Sequence, residues 1–272
     1  MRALVWLGLL APLLHAAVLA PVQIPTGGVK INGVFYLAAG KQAHPTLIIL
    51  HGVPGIEQNL DVAQAACDAG WNSLTLHYRG SWGSPGTFSY THMIGDAEAA
   101  VAFVRDPDVA ARYSIDTRHI VLAGHSGGAS AAVVAAANVE GIAGIVLISA
   151  VDADGIAAHL KTPQARAALA GRQTPCPPML TGCTGEGLDL EAADHASSWG
   201  FAVLAPHLTK IPLLMFTSDD GYREENDKLA ADIVSKGGAE PTRIYWKTDH
   251  GYSDRRKDLS DAIVQWLQKM ST

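Results

Sequence analysis

Ser126 stands in the pentapeptide Gly124-His125-Ser126-Gly127-Gly128, between the apolar run His119-Ile120-Val121-Leu122-Ala123 and a stretch of Ala, Ser, Val and Gly. A strand, a tight turn and a helix are the expected order, which would lift the Ser126 hydroxyl clear of the strand end. Glycine two residues before and two after the serine admits a backbone turn that a Cβ would obstruct. The chemistry on offer is nucleophilic attack by a serine oxygen. A phosphate-cradling loop is the poorer reading, because the lysine that should follow the glycines is absent.

A serine hydroxyl is a weak nucleophile near neutral pH. It needs a base to take its proton and a third group to orient that base. Both residue types follow strand-like runs further along the chain. The run 213–216 leads into Thr217-Ser218-Asp219-Asp220, and a run ending at Lys247 leads into Thr248-Asp249-His250-Gly251. His250 is the candidate base, and Asp219 or Asp220 the candidate acid, since only one of two neighbours can aim at the imidazole. Asp249 reads as a surface charge, because adjacent residues of an extended segment point to opposite faces. A tetrahedral intermediate needs preorganised donors for its oxyanion, and the turn supplies the backbone N–H of Gly127.

These groups require a scaffold that brings several strand ends to one edge. Strand patterns at 30–37, 46–50, 71–77, 119–123, 142–149, 212–216 and 242–246 alternate with helical patterns at 59–69, 93–104, 127–139, 224–235 and 259–269. Such alternation argues for a mostly parallel sheet covered by helices on both faces. The helix after Ser126 is rich in Ala, Ser and Gly, so it can approach the sheet closely and should be the central one. Regularity fails from about 152 to 206, where Gly, Pro and Thr cluster around two cysteines. A long irregular stretch inside a compact domain is usually a lid or a binding loop, and this one reads as a small cap.

The resemblance these motifs carry is to the α/β-hydrolase fold superfamily, over nearly everything after residue 20. It rests on the turn His51-Gly52-Val53-Pro54-Gly55, the elbow at Ser126, the acid-bearing loop, and His250 near the end. The order Ser, Asp, His is that of this superfamily. The segment His77-Tyr78-Arg79-Gly80-Ser81-Trp82-Gly83-Ser84-Pro85-Gly86 is similar to a loop of dienelactone-hydrolase-like and prolyl-oligopeptidase-like members. The resemblance implies an eight-stranded, mostly parallel sheet with a cap insertion, and a catalytic set of Ser126, Asp220 and His250. Asp220 is selected by aligning Thr217 with the glycine of a G-x-x-D turn, although that glycine is missing here. It also implies the Val53 N–H as the second oxyanion donor beside Gly127. The activity implied is hydrolysis of a small to moderate carboxylic ester through an acyl-enzyme, with no metal or organic cofactor. An exopeptidase of the prolyl-oligopeptidase type and a non-catalytic binding protein on this fold are the rivals.

Trp82 and Tyr90 are the candidate substrate-binding residues, with Phe88, Trp199 and Phe201 as further apolar surface. Arg79 could hold a substrate carboxylate but reads better as a brace of its own loop. His77, His92 and His195 are candidates for the pocket wall, while His51 reads as a brace of its glycine-rich turn.

The chain of 272 residues is 48 % apolar and 17 % charged, with a net charge of -6. Its lysines and arginines are scattered, which leaves no basic stripe for nucleic acid. Residues 1–20 run from Met1-Arg2 through about a dozen apolar positions to small residues, the order of a secretory signal peptide and too short for the ~20 that span a bilayer. Residues 21–272 are then the hydrolase domain, exported to a periplasmic or extracellular space, with no stable membrane association once the leader is removed. An oxidising compartment fits a disulfide between Cys176 and Cys183 in the cap loop, with Cys67 a small core residue. No Cys or His pair sits at zinc-ligand spacing.

Overall fold

The structure, a computed structural model, describes residues 18–270. Its strands are β1 (Val18–Thr26), β2 (Val29–Leu37), β3 (His44–Leu50), β4 (Asn72–Leu76), β5 (Ile115–His125), β6 (Gly144–Ile148), β7 (Leu213–Thr217) and β8 (Thr242–Tyr245). They form one eight-stranded sheet in the order β1-β2-β4-β3-β5-β6-β7-β8. The pairs β1–β2 and β2–β4 are antiparallel, and every other neighbouring pair is parallel. The sheet is the one expected, eight-stranded and mostly parallel.

The helices between these strands are α1 (Leu60–Asp68), α2 (Tyr90–Arg105), α3 (Pro107–Tyr113) and α4 (Gly127–Asn138). A cap follows β6, made of α5 (Ala153–His159), α6 (Pro163–Ala170), α7 (Gly185–Asp194), α8 (Ala196–Trp199) and α9 (Phe201–Leu204). The chain then adds α10 (Arg223–Ser235) and α11 (Arg256–Met270). Strand residues alternate between two cores, as the period of two demands. Leu47 and Ile49 pack with Val62 of α1 and Ile263 of α11 on one face. Ile48 and Leu50 pack with Met93 of α2, Val133 of α4 and Leu229 of α10 on the other. Helix α4 is buried from Gly127 to Ala136 except at Ser130, whose hydroxyl donates to the Val151 carbonyl. Small side chains make that depth possible, because nothing larger fits between helix and sheet.

Three features differ from the sequence reading. β1 was not among the expected strands, since Pro21 and Pro25 interrupt its pattern. It is the edge strand, where proline's missing N–H costs no ladder bond to a second neighbour. Residues 18–20 of the expected leader open this strand, and the rest of that leader lies outside the described residues. Helix α3 also escaped, although Asp106 caps it through the Asp108 and Val109 amides and Pro107 occupies its first turn. Finally, the segment expected to be irregular folds into short helices. Asp152, Thr162 and Thr184 each cap one through a side-chain oxygen. Such helices are too brief to display a helical period.

The cap is tied down at several points. Cys176 and Cys183 are joined by a disulfide. Glu191 of α7 accepts from the Tyr90 and Thr91 amides at 2.9 Å each, at the positive end of α2. Asp152 accepts from the Phe201 amide at 2.9 Å, which fastens the far end of the cap to its beginning.

Candidate active site

β5 delivers the chain to the elbow. Ser126 adopts φ 55° and ψ −125°, which a residue with a Cβ occupies only when its surroundings enforce it. Enforcement is visible: the Ser126 amide donates to the Ile148 carbonyl of β6 at 2.8 Å. The flanking glycines are required by close approach. A Cβ on Gly124 would collide with the Gly128 carbonyl, and one on Gly128 with the Leu50 carbonyl. Gly127 starts α4, where the first N–H groups lack helical acceptors and the helix dipole presents its positive end.

His250 lies in the loop after β8, and its Nδ1 is 2.8 Å from Asp220 Oδ2. The Asp220 side chain is only 4 % exposed. Burial alone would raise its carboxyl, but hydrogen bonding, from His250 foremost, outweighs this and holds it well below the usual carboxylate range. An ionised Asp220 can only accept, so Nδ1 carries the proton and Nε2 is the nitrogen left to accept. Asp219 is engaged elsewhere, accepting from the Tyr245 hydroxyl at 2.6 Å. Asp249 is exposed and accepts from the Ser253 amide. Of the two neighbours that the sequence left open, Asp220 is the one bonded to His250.

His125, which showed no role in the sequence, links the two halves. Its Nε2–H donates to the His250 carbonyl at 2.8 Å, and the two rings lie 4.7 Å apart. Burial lowers its pKa to about 4, so the ring is neutral near pH 7. The residue preceding Ser126 thus tethers the loop that carries His250.

The turn after β3 packs against the elbow so closely that a Cβ on Gly52 would lie 2.9 Å from the Ser126 Cβ. Val53 lines the same cleft as Ser126 and Gly127. Three donors hold this turn. The Tyr78 hydroxyl bonds the His51 carbonyl at 3.0 Å, His51 Nδ1–H bonds the Gly52 carbonyl at 2.7 Å, and Trp82 Nε1–H bonds the Pro54 carbonyl at 2.9 Å. Trp82 in turn hangs on the disulfide loop. Its amide donates to Met179 at 2.9 Å, while the Thr181 amide donates to Gly80 at 2.8 Å.

The cleft above the elbow has a volume of about 680 Å³, with the cap as its roof. Of the expected substrate-binding residues, Tyr90 lines it. Trp82 is not among its lining residues and spends its indole N–H on the turn. Phe88 and Phe201 are buried in the core, while Trp199 borders a smaller cavity nearby. His77, His92 and His195 do not line the cleft: His77 faces His51 and Trp82, His92 bonds Thr87, and His195 stacks on Trp199. Arg79 braces its loop through Asp96 at 2.7 Å.

Several cleft residues had no motif to announce them: Tyr222, His159, Arg172, Asp152, Asp189 and Glu225. They come from separate elements, and only the folded cap gathers them. Burial raises the carboxyls of Asp152, Asp189 and Glu225. Among the described residues, no cluster of three His, Cys, Asp or Glu is placed to hold a metal ion.

The BD-FAE family model matches residues 34–144, the part from β2 to the start of β6. No curated protein matches the sequence. Solved structures match nearly the whole chain. A fungal esterase from Rhizomucor miehei is 17 % identical with a TM-score of 0.67, over 93 % of this chain and 84 % of that one. The hyperthermophilic esterase of the archaeon Pyrobaculum calidifontis is 17 % identical with a TM-score of 0.65, over 93 % and 84 %. A lipase in its open form is 16 % identical with a TM-score of 0.70, over 94 % of this chain and all 100 % of that one. With this sheet order and elbow, these likenesses define the fold. The chain has the α/β-hydrolase fold.

Proposed function

We propose that the protein is a serine-dependent carboxylic ester hydrolase acting through an acyl-enzyme. Ser126 Oγ attacks the ester carbonyl while His250 Nε2 takes its proton, and Asp220 keeps the imidazole in the tautomer that can accept and stabilises the imidazolium that forms. The tetrahedral oxyanion is received by the N–H groups of Gly127 and Val53, each worth roughly 3 kcal/mol in a preorganised site. His250 returns the proton to the departing alcohol, and a water activated by the same imidazole releases the acid. The reaction calls for no metal or organic cofactor.

The observation that carries this reading is the His250–Asp220 pair at 2.8 Å, tethered by His125 to the residue next to Ser126. Structural neighbours described as esterases and a lipase support ester chemistry on this fold. We further propose export, supported by the leader-like N-terminus and the cap disulfide. No helix among the described residues is long and apolar enough to cross a membrane.

The test is hydrolysis of a panel of p-nitrophenyl esters from acetate to octanoate. The expected result is turnover of at least one ester and a loss of at least about 10⁴-fold in kcat on Ser126→Ala. A panel left wholly uncleaved by folded protein would overturn the proposal.

A further inference from the structure

Two spaces meet at the elbow. Besides the wide cleft, a small cavity of about 40 Å³ opens beside Gly127, and Tyr90, Gly127, Val151 and Ile156 line both. The small cavity's own walls are Met93 and Ile94 of α2, Ala131 and Val134 of α4, and Trp199 of the cap. Every one of these is apolar, and the Ser130 hydroxyl at its edge is already committed to the Val151 carbonyl. Gly127 lies where the two spaces meet: a Cβ there would sit 3.3 Å from Val53 Cγ2 and 3.5 Å from Tyr90 Cε1.

If Ser126 is the nucleophile, proton delivery decides which half of an ester goes where. The departing alcohol must receive its proton from His250. Tyr222, whose ring lies 5.5 Å from that of His250, lines the wide cleft and not the small cavity. The alcohol therefore leaves into the wide cleft, and the acyl group, anchored by its carbonyl at Gly127, is left to enter the small one. One water-sized sphere needs about 10–15 Å³ of such space, so the cavity admits roughly three carbon-sized groups beyond the carbonyl.

We propose that this small apolar cavity is the acyl-binding site, and that Met93, Val134 and Trp199 restrict the enzyme to acyl groups of about two to four carbons. The wide cleft, with Asp152, Asp189 and Glu225 along it, takes the bulkier alcohol. This assignment rests on the ester-hydrolase reading and adds to it a substrate class, short-chain esters of larger alcohols.

Two substrate series test it: p-nitrophenyl esters from acetate to octanoate, and acetates of progressively longer alcohols. We expect kcat/KM to peak between acetate and butyrate and to fall at least about thirtyfold by octanoate, because a chain longer than the cavity must crowd its wall or draw the carbonyl away from Gly127. Along the alcohol series it should change less than about threefold, because the added methylenes stay in the wide cleft without crowding a wall and bury little further surface. Trp199→Ala, at the partly buried wall, should raise the octanoate-to-butyrate ratio at least about tenfold, and Ala131→Leu should lower the butyrate-to-acetate ratio by a similar factor. Circular dichroism checks that each variant is folded, and Trp199→Ala alone suffices if Ala131→Leu is not. An optimum at hexanoate or beyond, a cut-off that follows the alcohol chain, or a ratio unmoved by Trp199→Ala would overturn the assignment while leaving the hydrolase reading intact. If no ester is cleaved and a fluorophosphonate leaves Ser126 unlabelled, both fall together.

Discussion

Replacing Asp220 by Asn keeps the shape of the pair with His250 and removes its charge. In the native pair the contact is 2.8 Å, which puts the two charge centres about 4 Å apart once the imidazolium forms. At an effective dielectric near 20 that attraction is about 4 kcal/mol, or roughly 10³ in rate. An amide can also donate to Nδ1 and turn the ring toward the wrong tautomer, which pushes the loss toward about 10⁴. Asp220→Asn should therefore lower kcat by about 10³–10⁴ with KM changed less than about threefold, because the interaction is made in the transition state. Asp219→Asn is the control. Its amide oxygen can still accept from Tyr245, so only the charge is lost, and kcat should stay within about twofold. The assay is steady-state hydrolysis of p-nitrophenyl butyrate on variants with native circular dichroism. A large loss in Asp219→Asn beside a mild one in Asp220→Asn would refute the reasoning.

Other consequences follow from the same contacts. Trp82→Phe keeps an aromatic ring but loses the N–H that holds Pro54, a bond worth about 1 kcal/mol, so kcat should fall roughly fivefold to tenfold with KM nearly unchanged. The pair Cys176→Ser/Cys183→Ser should lower kcat in the same sense, and adding Trp82→Phe to it should cost less than the product of the two effects, as measured by a double-mutant cycle. Burial lowers His51 and His125 to about 4 each, below the ordinary 6.5, so the unfolded chain binds protons there that the folded chain refuses. Stability from this source is complete above about pH 6.5 and is lost as pH falls toward 4, by about 2–3 kcal/mol per residue at pH 4.5. Urea unfolding at pH 7 and pH 4.5 reads the difference, and equal midpoints would contradict it.

Local sterics made the elbow legible. Gly124 and Gly128 are needed wherever a strand turns this sharply into a helix, and residues four apart can report that. The alternation of β3, α1, β4 and α2 was legible for the same reason, since each buries a face with its own period. Non-local choices were not. Whether Asp219 or Asp220 meets His250 depends on a turn in which Asp220 accepts from the Tyr222 amide, and on Tyr245 of the neighbouring strand claiming Asp219. The role of His125 was not legible because its partner is 125 residues away. Asp189 carries no motif and reaches the cleft on α7, which Glu191 docks on α2, while Tyr222 reaches it from the start of α10. Edge position explains β1, whose prolines would exclude it from the middle of the sheet.

The central claim is that Ser126 is the nucleophile, activated by His250. A fluorophosphonate probe tests this directly, read by intact mass and by peptide mapping on the wild type, Ser126→Ala and His250→Ala. The wild type should carry one adduct per chain on Ser126 and Ser126→Ala none, with labelling slowed at least about 10³-fold in His250→Ala. An adduct on another residue, or equal labelling of wild type and Ser126→Ala, would contradict it.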